Sequence, residues 1–219
     1  MACGGSSPPF RTIYWAIQNR ALTETPLAEL ISLRDFEYLF YDVLNLESLC
    51  ESERFSEYSR DDFDAIMEAA KQLAEEAFFP HAATLDQDPP ELEDGTIHII
   101  PAVKAATDAY AEGGYSSGPF PEEYGGLGMP MSLCNIYTMM FNAADISTST
   151  YVGLTTAAAH MLLAHGSDAL KERYLGPMVE GRWFGTMCLS EPHAGSSLAN
   201  LRTTATPLND GTYATIRAE

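Results

Sequence analysis

The sequence predicts a mainly α-helical protein that turns to β structure near residue 181 and opens a sheet it does not complete. Three observations carry this. Apolar residues recur at helical spacing almost without interruption up to Glu180. From Gly181 the run RWFGTMCLS loses that spacing and is bounded by glycine and proline, which predicts a strand. Beyond it, LRTTATPL and TYATIRA flank Asn209-Asp210-Gly211, a strong signal for a hairpin turn. Two or three strands cannot bury a sheet face by themselves, so the β part reads as incomplete.

The first element is RDFEYLFYDVLNLESL, where Phe36, Leu39, Phe40, Val43, Leu44 and Leu46 fall at helical spacing. Ser59 and Asp62 then have the spacing of a capping box. Behind them Phe63, Ile66, Met67, Ala70, Leu73, Ala74, Ala77 and Phe78 trace one apolar face, which Pro80 is expected to close. DPPELEDGTIHI reads as a loop with a short extended piece at 97–100. Pro101 opens the next helix, with Val103, Ala106 and Tyr110 inward, and Gly113-Gly114 end it.

FPEEYGGLGMP is a turn-rich connection, and its glycines do not follow a strand, so it is not a dinucleotide fingerprint. Helices follow over 132–144, 149–164 and 167–179. The second is small and apolar nearly all round, which predicts burial on every side. The third has Ser167 as its N-cap and Asp168 in its first turn.

Twelve basic residues against 31 acidic ones give a formal charge of -19, which excludes non-specific nucleic-acid binding. That charge does not exclude a nucleotide-like ligand, because main-chain amides can bind anions locally. No apolar run has the length of a membrane span. Cys3, Cys50, Cys134 and Cys188 are scattered without C-x-x-C spacing, which argues against zinc or a disulfide framework and for a reducing compartment. Residues 1–23 contain no acidic residue, and the stretch 1–25 reads as a disordered extension or a leader. The location is therefore cytoplasmic, or the mitochondrial matrix if the stretch is a leader.

The run CLSEPHAGSS resembles the flavin-binding signature of acyl-CoA dehydrogenases, C-[LV]-T-E-P-x-x-G-[ST]-D. FPEEYGGLGMP and HGSDALKERYLGPMVEGRWFGTMCLSEP match the same family in the same order. FEYLFYDVLNLE, DGTIHIIPAVKAA and His193 resemble the longer branch that includes 3-methylmercaptopropionyl-CoA dehydrogenase. The resemblance implies an N-terminal helical domain over 26–180, followed at 181–219 by the first strands of the middle β domain.

Such enzymes take a proton from the α-carbon of an acyl-CoA thioester and pass the β-hydride to N5 of FAD. Negative charge then develops near flavin N1, where preorganised N–H donors at a strand end stabilise it. The resemblance lays Met187, Cys188, Leu189, Ser190 and Ser196 along the cofactor, with Ser190 replacing the usual threonine. Ser196 also contacts the CoA part of the substrate, and Gly195 lets the backbone approach. Ser197 departs from the family's aspartate.

The resemblance implies no catalytic residue in this chain, because the base is a glutamate of a later helical domain, and without it turnover is not expected. Further implied are an electron-transfer-flavoprotein-like acceptor and a homo-oligomer. An acyl-CoA oxidase, and a non-catalytic helical interaction module, are the alternatives. The final DGTYATIRAE follows the family pattern through Tyr213 and then departs from it.

Other residues carry plainer readings. Glu191 caps or orients its loop, and Cys188 is a small buried hydrophobe. His193 is a surface residue or a phosphate contact. His160 and His165, five apart, lack the spacing of a helical metal pair. Tyr151, Leu154 and Thr155 line the acyl pocket by analogy, or simply pack the core.

Overall fold

The computed structural model describes residues 30–207 and 214–217. The leader reading of 1–25 and the turn at Asn209-Asp210-Gly211 lie outside the described residues. Helix α1 (Leu33–Glu37) runs directly into a π-helical turn, Tyr38–Val43. That wider turn rotates the chain, so the regular spacing expected here does not hold. Phe40 and Tyr41 are buried, whereas Leu39, Val43 and Leu44 are exposed.

Tyr41 ties this segment to the next helix. Its hydroxyl donates to Asp64 Oδ1 at 2.5 Å, and the Arg60 guanidinium sits 4.0 Å from its ring centroid. Burial, reinforced by the Asp64 carboxylate, pushes the Tyr41 phenol well above its ordinary pKa.

Helix α2 (Arg60–Leu73) begins with the expected capping box. The Asp62 N–H donates to Ser59 Oγ at 3.3 Å, and the Ser59 N–H donates to Asp62 Oδ2 at 2.8 Å. Phe63, Met67, Ala70, Ala74 and Phe78 are buried along one face, as the spacing predicts.

Pro80 does not close this helix. A π-turn at Ala74–Phe78 intervenes, in which the Phe79 N–H reaches back to the Ala74 carbonyl, and α3 (Phe79–Gln87) continues beyond. A proline ring normally collides with the carbonyl four residues earlier. The widened turn moves that carbonyl aside. The same device recurs at Lys171–Leu175, just ahead of Pro177.

The 88–100 segment is more ordered than a loop. Strands β1 (Glu91–Glu93) and β2 (Thr96–His98) pair antiparallel across Asp94 and Gly95, both at positive φ. Helix α4 (Pro101–Glu112) buries Val103, Ala106, Thr107 and Tyr110 and is capped at Gly113, as expected. Helix α5 (Met131–Ala144) lies between α2 and α6 (Ile146–His165), while α4 packs on α6. The main core joins α2, α4 and α5 through an aromatic cluster. Phe141 lies 4.8 Å from both Phe78 and Tyr110, and 5.1 Å from Tyr115.

Helix α6 is not buried all round. Val152, Thr155 and Ala159 are covered by neighbouring helices, but Ile146 and Met161 are each 60% exposed. Among the described residues, the elements packed on it leave that second face open. Ser167 caps α7 (Asp168–Leu170), and the π-turn leads to α8 (Gly176–Val179), which packs back on α6.

The strand expected from Gly181 is absent: 182–190 is irregular and largely exposed, Cys188 included. A strand needs a neighbour for its ladder, and among the described residues none lies beside this segment. The hairpin strands do form: β3 (Thr204–Pro207) pairs antiparallel with β4 (Ala214–Arg217), with Ala205 opposite Ile216.

Candidate functional site

The segment 185–203 is held at two points. At its start the Gly185 N–H donates to the Thr155 hydroxyl at 3.0 Å, which seats it on α6. Thr155 in turn donates to the Tyr151 carbonyl at 2.7 Å, so its hydroxyl is fixed from both sides. From Thr186 through Ser190 no main-chain N–H donates to another group among the described residues. Here lie an exposed backbone, the Ser190 hydroxyl, and the Met187 and Leu189 side chains.

The second anchor is Glu191. Its carboxylate accepts from the Arg202 N–H at 2.8 Å, the Thr203 N–H at 2.9 Å and the Thr203 hydroxyl at 2.5 Å. The main chain adds a bridge in which Glu191 and Ala194 exchange N–H···O bonds of 2.8 and 3.1 Å. Three donors aimed at one carboxylate favour its charged form. The Thr203 hydroxyl and the Arg202 amide therefore hold its pKa down at about 2, helped by the nearby His193. These bonds are fully present above the ordinary carboxylate range and are lost only as the pH falls towards about 2. His193 lies 3.4 Å from Glu191 and 3.2 Å from the Asn200 carbonyl, inside the same loop.

A cavity of about 340 Å³ opens between α5 and α6. Tyr110, Tyr137 and Phe141 form its aromatic wall, and Ser149, Gly153 and Ala157 form a small-residue stripe opposite. The Tyr137 hydroxyl donates to the Tyr115 carbonyl at 3.0 Å, and burial raises the phenol far above its ordinary pKa. The Cys134 thiol is pushed up to about 11 by burial, which keeps it protonated and inert. At the rim, His160 stacks on Phe120 with ring centroids 4.5 Å apart, and burial lowers its pKa.

The acyl-CoA dehydrogenase N-terminal domain family matches residues 60–182, more than half of the chain. The chain belongs to the acyl-CoA dehydrogenase family. It is 38% identical over 160 residues to 3-methylmercaptopropionyl-CoA dehydrogenase of Ruegeria pomeroyi, covering 73% of this chain and 27% of that protein. Among solved structures, butyryl-CoA dehydrogenase from Megasphaera elsdenii superposes with a TM-score of 0.59 at 25% identity, over 71% of this chain and 39% of that one. An acyl-CoA dehydrogenase complexed with FAD from Bacillus anthracis shares the fold at 20% identity, with a TM-score of 0.61, over 74% of this chain and 26% of that one. The chain thus spans well under half the length of these relatives.

For an acyl-CoA dehydrogenase chain, the expected flavin residues are placed as follows. Met187, Cys188, Leu189 and Ser190 run consecutively along one exposed segment. The Glu191 loop folds Gly195 back over them: a Cβ built on Gly195 lies 3.7 Å from Ser190 Oγ. Ser196 follows directly, so the two hydroxyl positions come from opposite arms of one loop. Of Tyr151, Leu154 and Thr155, read as lining an acyl pocket or packing the core, Thr155 is buried and holds Gly185, and Tyr151 meets Phe184 edge-on at 6.5 Å. The cavity is lined by the next residues round the helix, Val152, Gly153, Thr156 and Ala157. Their signal was the small-residue spacing of Ser149, Gly153 and Ala157. Among the described residues, no three His, Cys, Asp or Glu side chains group as a metal site. No helix there is long and apolar enough to cross a membrane.

Proposed function

We propose that this chain is the N-terminal part of an FAD-dependent acyl-CoA dehydrogenase, with residues 26–180 as its helical domain and 181–219 as the start of its middle domain. The open main-chain donors of Thr186–Ser190, beside the Ser190 hydroxyl, carry the reading. This donor set suits the flavin's N1 and C2 carbonyl edge, where a peptide N–H and a small hydroxyl donate without reorganising. Bound FAD supplies the hydride acceptor. Leu189 and Ser190 hold its pyrimidine edge, and Gly195 gives the main chain room to approach. Ser196 donates to the CoA part of the thioester.

The cavity between α5 and α6 receives the acyl tail, because it is concave, mostly apolar and walled by aromatic rings. The family resemblance assigns proton abstraction to a glutamate of a later helical domain, and electron removal to an electron-transfer-flavoprotein-like acceptor. A homo-oligomer belongs to the same reading.

The test uses the native protein purified from its source and mixed without oxygen with saturated acyl-CoAs of differing acyl groups. At least one is expected to bleach the flavin's visible absorption and to appear as the 2-enoyl-CoA. Protein that carries no flavin, or whose flavin no acyl-CoA bleaches, contradicts the reading.

A further inference from the structure

We propose that Glu191 is a positioning residue, which closes the 191–203 loop from within and so presets the main chain at Ser190 and Gly195-Ser196 for the flavin. The inference rests on the flavin reading above and deepens it.

The need for such a device follows from the surroundings. Between Gly185 and Glu191 the chain makes no main-chain hydrogen bond to the rest of the described protein, and no strand flanks it. A free segment of that kind samples many conformations, and fixing each residue in one of them is entropically unfavourable. A cofactor binding to it would have to meet that ordering cost itself. Anchors at both ends reduce the cost before the ligand arrives. Thr155 supplies one anchor, and the Glu191 carboxylate supplies the other.

Glu191 is suited to this by chemistry and reach. An ionised carboxylate only accepts, so it can meet three donors at once. Here these are two consecutive main-chain N–H groups and the hydroxyl of Thr203, from a stretch more than ten residues further along the chain. The Glu191 side chain is only 7% exposed, covered by its own loop, although the donors it meets belong to surface residues. Because Arg202 and Thr203 lead directly into β3, the loop is tied to the hairpin. A glutamine would present an amide N–H₂ to one of these donors and lose at least one bond.

The experiment compares native wild-type protein with Glu191→Gln and Thr203→Val, with Thr203→Ser as the conservative control. Amide hydrogen exchange at Arg202, Thr203 and Ser190 is read alongside FAD affinity and the flavin's visible spectrum. In Glu191→Gln, exchange at Arg202 and Thr203 is expected to rise roughly tenfold or more. FAD affinity falls roughly tenfold, with a shifted spectrum, while exchange within α2 and α5 is unchanged. Thr203→Val gives a smaller effect in the same direction, and Thr203→Ser behaves as wild type.

Unchanged exchange at Arg202 and Thr203 in Glu191→Gln would show that no clasp exists. Faster exchange with wild-type FAD affinity and spectrum would show a clasp that does not position the cofactor, and would equally overturn the proposal. Wild-type protein that binds no FAD removes the flavin reading and this inference with it. The exchange data then still report separately on the clasp.

Discussion

Replacing Phe141 by alanine is expected to lower stability by about 3–5 kcal/mol, the range for removing a large aromatic side chain from a packed core. Phe141 is essentially inaccessible to solvent and touches Phe78, Tyr110 and Tyr115, so three elements lose contact at once. The neighbours cannot collapse into the space, because the Tyr137 hydroxyl is held to the Tyr115 carbonyl and Phe78 is fixed by the π-turn ahead of Pro80. The void would also merge with the cavity between α5 and α6, whose wall Phe141 forms. Thermal unfolding followed by circular dichroism should show a midpoint lower by roughly 10 °C. Tyr38→Ala, at a position 59% exposed, should lie within about 0.5 kcal/mol of wild type. Equal effects of the two substitutions would mean that the aromatic cluster is not the core.

Gly126→Ala is expected to be as damaging, for a different reason. A Cβ on Gly126 would lie 1.9 Å from the Phe120 carbonyl oxygen and 2.2 Å from its carbon. Both are backbone atoms and cannot rotate away. The loop would have to open, breaking the bonds from the Gly126 N–H to the Pro121 carbonyl and from the Gly128 N–H to the Phe120 carbonyl. Phe120 would then leave its stack on His160 and disturb α6. A loss of about 3 kcal/mol or more is expected. Its neighbour offers an internal control. Gly125 has φ +81° with nothing near its would-be Cβ, so Gly125→Ala meets only the left-handed backbone penalty of about 1–2 kcal/mol. Chemical denaturation of the two variants separates steric from conformational cost. A Gly125→Ala loss exceeding that of Gly126→Ala would contradict this assignment.

Much of the helical part was legible because its signals are local. Ser59 and Asp62 announce a helix start by their own side chains, and Phe63 through Phe78 keep one period over four turns. The π-turns were not legible, because proline at 80 reads as a stop unless the preceding turn is known to widen. Asp94-Gly95 carried a hairpin signal, but the strands on either side are exposed and lack the alternation that usually marks them. Burial of α6 was overestimated because composition shows how apolar a helix is, not which neighbours cover it.

The site was legible as a motif and not as a geometry. Met187–Ser190 and Ser196 could be named from their pattern, yet an isolated apolar run reads as a strand whether or not a partner is present. The Glu191 clasp joins residues eleven and twelve apart in sequence, and neither Arg202 nor Thr203 carries a signal of that contact.

The central claim is that the 187–196 segment borders bound FAD. Hydrogen exchange of the native protein, with FAD bound and after its removal, tests it most directly. Slower exchange at residues 187–190 and 195–197 in the FAD-bound form, with α2 and α5 unaffected, is the predicted result. Exchange at those amides that ignores FAD, with protection appearing elsewhere in the protein, would contradict it.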